Sequence, residues 1–204
     1  MLRLMPGRPL VIATHNQGKR QEFATLLAPA GIICTDAAAL NLAEPAETGA
    51  DFAENAQIKA LSAARATGLA ALADDSGLSV AALGGDPGLR SARFAQECGG
   101  YTEAMARLIA ASRGDTRAWF TCALCLAMPT GETATYLGFC HGNIAEHPRG
   151  TKGFGYDPIF VPSGQTASFA ELSAEQKHQI SHRARAISQF LAVLPVLSQG
   201  AARC

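Results

Sequence analysis

The sequence predicts an α/β fold built on a mixed β-sheet. Helical and strand-like patterns alternate along the 204 residues, without an internal repeat or a low-complexity linker. Two long apolar segments, 119–128 and 133–141, are separated only by a short turn around Pro129 and Gly131, which predicts an antiparallel hairpin. A hairpin in the middle of the chain suggests a second lobe. No boundary divides the chain into independent units, so residues 1–204 are predicted to form one domain.

The first half of the chain is predicted to place short strands between two helices. Residues 9–14 are short and apolar, as in a buried strand, and 18–28 have apolar residues at helical spacing before Gly31. The other elements predicted here are a strand over 32–34, an acidic loop over 41–49, a helix over 51–67 with Gly68 as its C-cap, a strand over 69–73 and an apolar segment over 78–83. Between the last two, residues 74–77 are predicted to form a polar turn.

The second half adds the hairpin and three helices. A helix is predicted over 102–111, and the glycine-rich segment 150–157 is predicted to be a loop. Ser173, with a Gln three residues later, is typical of a capping box and predicts a short helix. Ser181 is expected to cap the last helix, which has an apolar stripe over 187–194 and is weakened or ended by Pro195.

Composition and charge argue against several classes of protein. The 17 basic and 17 acidic residues balance, so the basic footprint of a duplex nucleic-acid binder is absent and no nucleic-acid partner is expected. No apolar run approaches the length of a membrane span, and the N-terminal segment is a poor signal peptide. We therefore expect a cytoplasmic protein with no membrane partner.

Cys122 and Cys125 have a metal-like spacing, but in a strand their side chains point to opposite faces, which favours reduced core cysteines.

A candidate anion-binding loop follows the first predicted strand. It comprises Thr14, His15, Asn16, Gln17, Gly18 and Lys19. Free backbone N–H groups at the start of a helix bind anions, and Lys19 adds a full positive charge in the first turn. The spacing is not that of a P-loop, and the alternative is an ordinary strand-to-helix turn with an exposed lysine.

Carboxylates on two neighbouring elements suggest a magnesium site. Asp74 and Asp75 are adjacent like charges, which are costly to bury unless a cation meets them. Mg²⁺ needs only one or two carboxylates together with substrate phosphates, so one of these Asp residues with one loop acid, Glu44 or Glu47, would be enough. An ordinary polar turn and solvated loop acids are the alternatives. Lys59, on a polar stripe of the preceding helix, either points toward phosphate or lies on a solvated face.

Two further segments have side chains that suit a flat heterocycle. In the glycine-rich loop, glycines flank Phe154, which leaves room for a ring to stack, and Asp157 offers acceptors for ring N–H groups. Lys177, His182 and Arg183 are clustered donors near a predicted helix start, and they suit phosphate or the carbonyl oxygens of a base. The alternatives are a core-filling Phe in a turn and an ordinary basic helix surface.

Five motifs, in this order, resemble those of the bacterial non-canonical purine nucleoside triphosphate pyrophosphatases, the inosine triphosphatase (Ham1-like) family. The motifs are ATHNQGK, ETGADFAENAQIKA, ADDSGLSVAALGGDPGLRSARF, GFGYDPIF and SHR, and they span nearly the whole chain. The resemblance implies an elongated mixed β-sheet flanked by helices, two lobes with a substrate cleft between them, and a homodimer. It also implies Mg²⁺-dependent cleavage of the nucleotides ITP, dITP and XTP to the monophosphate and pyrophosphate, which clears deaminated purines from the nucleotide pool.

The resemblance further implies roles for residues of this chain. The triphosphate-binding loop is implied at 14–19, although His15 stands where the family more often has Gly. Asp75 is implied to bind the metal and accept a proton, with Glu47 as the second metal-side carboxylate and Lys59 near the phosphates. The remaining substrate contacts implied, including the base pocket, are Ser76, Phe154, Gly155, Tyr156, Asp157, Lys177, His182 and Arg183.

The implied reaction is attack of water on the α-phosphorus, with pyrophosphate leaving. The triphosphate is highly anionic, so the metal together with Lys19 and Lys59 is expected to neutralise it, while Asp75 or a neighbouring carboxylate accepts the proton. His182 and Arg183 are predicted to recognise the 6-oxygen that separates these bases from adenine, a discrimination of roughly 10⁴-fold in well-built sites.

Two other functions would also use an anion-binding loop. One is a pyrophosphatase for modified pyrimidine triphosphates, as in the Maf-like proteins, and the SHR and FGYD segments argue against it. The other is a non-catalytic nucleotide-binding module. The acidic cluster argues against that function, because binding an anion gains nothing from extra carboxylates unless a metal is present.

Overall fold

A computed structural model describes Leu4 and residues 7–194 of the chain. Its strands are β1 (Leu10–Ile12), β2 (Cys34–Asp36), β3 (Ala71–Val80), β4 (Arg117–Ala127), β5 (Thr133–Ile144) and β6 (Phe160–Pro162). Its α-helices are α1 (Gln17–Leu27), α2 (Phe52–Thr67), α3 (Ser91–Glu97), α4 (Tyr101–Ala111), α5 (Ala174–Ile180) and α6 (His182–Val193). These strands form one mixed sheet in the order β2-β1-β3-β4-β5-β6, in which β1 runs parallel to β2 and β3 and the other neighbours are antiparallel. The predicted mixed-sheet α/β fold is confirmed.

Capping side chains fix where the two helices of the first half begin. The side chain of Asn16 accepts from the backbone N–H of Lys19 at 3.0 Å, and that of Asp51 accepts from Glu54 at 2.9 Å. Gly68 follows α2 with φ 67°, a left-handed conformation that glycine adopts without strain. The predicted helices therefore lie where the local signals placed them, and the capping box of Ser173 is present as well.

The predicted turn at 74–77 is wrong, because these residues lie in the middle of β3. The strand pairs with β4 along its whole length, with Asp74 opposite Leu124 and Asp75 opposite Ala123. Acidic residues are unusual inside strands, which is why the sequence pattern favoured a turn. Asp74 is tolerated here because cationic side chains reach it from helices that are remote in sequence.

Smaller differences concern the ends of elements. The strand predicted over 32–34 is β2, which begins at Cys34. The sequence pattern did not indicate α3 or the three-residue strand β6. The predicted stop of the last helix at Pro195 lies outside the described residues.

The predicted hairpin is confirmed as β4 and β5, which pair from Arg117 with Asn143 to Ala127 with Thr133. Cys122 lies in the core on one face of the sheet and Cys125 in the core on the other, both buried as thiols. The predicted divergence of their sulfur atoms is therefore confirmed.

Helices cover the two faces of the sheet unevenly, and the core consists of separate apolar clusters. At one end, apolar residues of α1 and α6 pack on one face of the sheet and the alanines of α2 pack on the other. At the other end, α3 and α4 pack on Leu78 and Val80 of β3. The acidic middle of β3 lies between these cores. No helix in the described part of the chain is both long and apolar enough to cross a membrane.

Candidate active site

A cleft with a cavity of about 190 Å³ opens beside the middle of β3. Most of the predicted site residues line it: Thr14, Asn16, Lys19, Glu47, Lys59, Asp75, Ser76, Phe154, Gly155, Tyr156, Asp157, Lys177, His182 and Arg183. His15, Gln17 and Gly18 do not line this cavity. The fold thus brings together motifs as far apart in the sequence as Thr14 and Arg183.

Asp74 and Asp75 point to opposite faces of the sheet because successive side chains of a strand alternate. Asp74 lies on the face covered by α1 and α6 and meets Lys19 and Arg183. Asp75 lies on the face covered by α2 and meets Asn55 and Lys59. The two like charges therefore have separate partners.

Asp74 is a buried anion that holds cationic groups in place. A single oxygen, Oδ2, is 3.0 Å from Lys19 Nζ and 3.0 Å from Arg183 Nη2, and it accepts from the Ser76 hydroxyl at 2.9 Å. Burial works against the charge, but Lys19 and Arg183 outweigh it and hold the pKa of Asp74 well below its usual range. Asp74 is thus ionised, and Oδ2 takes these contacts, whereas Oδ1 is buried without a hydrogen-bond partner among the described residues.

Asp75 is nearly buried, at 6% exposure, yet it borders the cleft. Its Oδ2 accepts from Asn55 Nδ2 at 3.1 Å, and its Oδ1 is 3.4 Å from Lys59 Nζ. Burial raises the pKa of Asp75, Lys59 and Lys19 oppose the rise, and the charge of Glu47 adds to it. A carboxylate with a raised pKa is a better proton acceptor than an exposed one.

The ammonium of Lys59 contacts two carboxylates, those of Glu47 and Asp75. Its ammonium lies 2.6 Å from Glu47 Oε1 and 3.4 Å from Asp75 Oδ1. Burial works against the charge of Lys59, but Asp75, Asp74 and Glu47 outweigh it, so its pKa is raised and it stays protonated. The Lys59 side chain is thus buried in the site and does not lie on the solvated helix face that the sequence left open.

This pair of carboxylates fits a magnesium ion. The described residues contain no group of three or more His, Cys, Asp or Glu side chains that could hold a metal by themselves. Mg²⁺ keeps several waters and takes oxygens from substrate phosphates, so two protein carboxylates are sufficient. Glu47, whose side chain is 35% exposed, and Asp75 offer hard oxygen donors at the edge of the cleft.

The other end of the cleft contains a buried chain of ion pairs. Lys177 Nζ is 2.6 Å from Asp157 Oδ2 and 2.8 Å from Glu22 Oε1, and Glu22 also accepts from Arg183. The same oxygen of Asp157 accepts from the backbone N–H of Phe154 at 2.9 Å. The glycine-rich loop is therefore held by the helix that carries Lys177.

Glu22 is a functional candidate that the sequence reasoning missed. Burial opposes its charge, but Arg183 and Lys177 outweigh it and lower the pKa of Glu22. The available signal was its place on α1, one turn after Lys19, on the side that also carries the buried Phe23. A lone acid in a helix gives no local indication that both of its partners lie more than 150 residues away.

Most of the N–H groups of Arg183 donate to other side chains of the protein, and few remain for a ligand in the cleft. It is 1% exposed, and its guanidinium donates to Asp74, Ser76 and Glu22. A guanidinium has five N–H groups, and these contacts leave one N–H on Nη1 for a ligand.

His182 is buried as a neutral ring. It stacks on Phe120 with ring centroids 4.7 Å apart, and its Nδ1 has no partner among the described residues. Burial, Arg183 and Lys177 hold the pKa of His182 well below its ordinary value. An unpaired polar atom at a cleft is a candidate for contact with a ligand.

Phe154 separates the cleft from a larger neighbouring cavity of about 590 Å³. Its ring packs so closely on Gly18 that a Cβ added there would meet ring carbons at 2.4 Å. Lys177 Nζ lies 4.9 Å from the centroid of the same ring. Helix α1 and the glycine-rich loop therefore touch directly through Phe154.

Ser91 explains the segment GGDPGLRSARF, to which the sequence assigned no chemistry. Its hydroxyl accepts from Leu78 N at 2.8 Å and donates to Gly88 O at 2.7 Å, while its carbonyl accepts from Tyr156 at 2.8 Å. A Cβ on Gly77 would fall 2.2 Å from Gly88 O, so only glycine fits at that position. The segment fastens the glycine-rich loop to β3.

Comparisons with known proteins agree with this architecture. The model of the Ham1 family matches residues 10–193. The chain is 51% identical over 193 residues to the dITP/XTP pyrophosphatase of Gluconobacter oxydans, covering 94% of this chain and 93% of that protein. It is 50% identical over 195 residues to the protein of the same name from Rhodospirillum centenum, covering 93% and 96%.

Solved structures give the same result. The fold is similar to that of a HAM1 protein from Coxiella burnetii, with a TM-score of 0.80, 38% identity, and coverage of 91% of this chain and 97% of that one. It is also similar to the Staphylococcus aureus Ham1 protein, with a TM-score of 0.79, 38% identity and the same coverage of 91% and 97%. Both likenesses extend over nearly the full length of each chain.

Proposed function

This chain belongs to the Ham1 family, and from that premise we propose that it hydrolyses the non-canonical purine nucleoside triphosphates dITP, ITP, XTP and dXTP to the monophosphate and pyrophosphate. Relatives about half identical over nearly the whole chain are named dITP/XTP pyrophosphatases, which supports this substrate class. The observation that carries the proposal is a single cleft with lysines and carboxylates at one end and a buried polar pocket at the other. The enzyme is proposed to work as a cytoplasmic homodimer on free nucleotides, without a nucleic-acid or membrane partner.

Lys19 and the start of α1 are proposed to receive the triphosphate. Lys19 Nζ is held 3.0 Å from Asp74, and its side chain is 15% exposed, so it is fixed in direction yet reachable from the cleft. The backbone N–H groups of the first turn add positive potential, although the Asn16 side chain already occupies that of Lys19. Lys59 supplies the second charge from the opposite side of the cleft.

Glu47 and Asp75 are proposed to hold Mg²⁺. When bound, the ion neutralises phosphate charge and lowers the pKa of a coordinated water. The chain's own contribution is to keep two carboxylates close together by means of Lys59, which offsets their mutual repulsion until the metal arrives. Glu44 borders the same cavity, but its Oε2 lies 3.9 Å from Nδ1 of His15. Glu47 is the better placed acid because it lies beside Lys59, which also contacts Asp75.

Asp75 is proposed to accept the proton of the attacking water. Its carboxylate borders the cleft, and burial and the charge of Glu47 raise its pKa, which makes it a better proton acceptor than an exposed carboxylate. Asn55 fixes Oδ2, so the position of the acceptor is set before substrate binds. The water attacks the α-phosphorus, the bond to the bridging oxygen breaks, and pyrophosphate leaves.

The base is proposed to lie against Phe154, with its 6-oxygen facing donors at the buried end. Lys177 has three N–H groups, of which Asp157 and Glu22 take two. His182 offers an unpaired ring nitrogen, which donates in the tautomer that carries its hydrogen on Nδ1, and Arg183 offers one free N–H. A 6-amino group would meet these donors with hydrogens of its own, and sites of this type reject the wrong base by roughly 10⁴-fold.

The direct test is release of pyrophosphate. Purified protein is incubated with Mg²⁺ and, separately, dITP, XTP, dATP, dGTP or dUTP, with a parallel series in EDTA. Pyrophosphate is expected from dITP and XTP only, and none in EDTA. Turnover restricted to dUTP or other pyrimidines would instead support the Maf-like alternative, and binding without turnover would support a nucleotide-binding module.

A further inference from the structure

The acidic loop, residues 41–49, carries both candidate metal-side acids but is sparsely held. Within the described part of the chain, residues 43–48 make no backbone hydrogen bond. The loop is anchored beyond that segment, by Leu42 N donating to Ala37 O at 3.0 Å and by Gly49 N donating to Asn55 Oδ1 at 2.8 Å. The position of Glu47 therefore depends on these anchors and on Lys59.

His15 completes the first anchor. Its Nε2 lies 2.9 Å from Leu42 O, and because a carbonyl can only accept, this nitrogen carries the hydrogen and donates. The other ring nitrogen, Nδ1, is 3.9 Å from Glu44 Oε2. The imidazole thus lies between the triphosphate-binding loop and the acidic loop.

The surroundings of His15 separate two possible roles. Thr14 and Asn16, its neighbours, line the substrate cleft, whereas His15 lines a different cavity of about 160 Å³ behind the acidic loop. The ring is therefore turned away from the place where phosphates would lie, and its donor is already used. The expected role as a phosphate contact does not match this orientation.

We propose that His15 is a positioning residue that fastens the acidic loop to the triphosphate-binding loop and thereby keeps Glu47 beside Lys59 and Asp75. This inference rests on the proposed function only in giving Glu47 its task at the metal. A glycine at this position could not make the contact.

The first test measures the loop itself and needs no activity. A glutamyl endopeptidase is added under native conditions, without nucleotide or Mg²⁺, and the rate of cleavage after Glu47 is followed by mass spectrometry. His15→Ala is expected to raise that rate about fivefold, the factor that one net hydrogen bond contributes. His15→Gln, whose amide N–H reaches a similar place, is expected to restore the slow rate. Cleavage after Glu132, in the exposed hairpin turn, is the internal reference.

The second test separates a tether from a phosphate contact. With dITP as substrate, His15→Ala is expected to raise the Mg²⁺ concentration for half-maximal rate about fivefold, while KM at saturating Mg²⁺ changes by less than about twofold. His147→Ala, at an exposed histidine of another loop, is the control variant. An unchanged cleavage rate after Glu47 in His15→Ala, or a raised KM at saturating Mg²⁺, would overturn the proposal. Absence of turnover in the unmodified protein would refute the proposed function and leave the cleavage test decisive for the tether.

Discussion

Replacing Asp74 or Asp75 by Asn is expected to give opposite results, although the two residues are adjacent in β3. Asp74 is 1% exposed and neutralises Lys19 and Arg183 through one oxygen, at 3.0 Å each. Asp75 borders the cleft, and its partner Lys59 also has Glu47 at 2.6 Å. One substitution removes a structural counter-charge, and the other removes a reacting group.

The structure sets the expected magnitudes. Asp74→Asn leaves buried cations without their shared partner, a change that costs about 3–5 kcal/mol of the roughly 5–15 kcal/mol that stabilise a typical domain. Asp75→Asn leaves Lys59 paired and removes a carboxylate that burial already disfavours, so stability should change by less than about 1 kcal/mol. Turnover of Asp75→Asn should nevertheless fall at least about 100-fold, the usual contribution of a proton acceptor.

The assay combines urea unfolding with pyrophosphate release, both applied to the two variants and the unmodified protein. Asp74→Asn should unfold at a clearly lower urea concentration, and Asp75→Asn should unfold like the unmodified protein while being inactive. Equal loss of stability in both variants would refute the separation of the two carboxylates by the sheet. Near-normal turnover of Asp75→Asn would remove it from the mechanism.

Two further predictions concern the buried end of the cleft. Glu22→Gln removes the counter-charge shared by Lys177 and Arg183 and should lower the free energy of unfolding by about 3 kcal/mol. The exposed control Glu97→Gln should lower it by less than about 1 kcal/mol. Equal effects of the two substitutions would contradict the ion-pair network. Burial, Arg183 and Lys177 lower the pKa of His182, so the ring is neutral in the folded protein. As the pH falls below about 6.5, only the unfolded chain binds a proton at His182. The free energy of unfolding should therefore drop by up to about 1.4 kcal/mol per pH unit. Urea unfolding across this range should show a shallower pH slope in His182→Gln, and equal slopes would mean that His182 is charged in the folded protein.

The sequence predicted the parts of the fold that depend on local patterns. The hairpin followed from two apolar segments and a short turn, and α2 followed from Asp51 and Gly68 at its ends. The prediction of a turn at 74–77 was wrong because a local pattern contains no information about Arg183, which lies 109 residues from Asp74. Charges inside a strand become acceptable only through such remote partners.

The same limit applies to the site. Sequence motifs indicated which residues gather at the cleft, since most of them line one cavity. The motifs could not show that most N–H groups of Arg183 donate to protein carboxylates or that Glu22 pairs with two cations. They also could not show that His15 faces away from the cleft. Orientation depends on contacts between elements, which spacing along the chain does not encode.

The proposed reaction is attack of water on the α-phosphorus of a deaminated purine triphosphate bound in this cleft. Hydrolysis of dITP in H₂¹⁸O, followed by mass spectrometry of both products, tests it most directly. The expected products are dIMP and pyrophosphate, with the label in dIMP. Label in the pyrophosphate, release of single phosphate groups, or no turnover of dITP would contradict it.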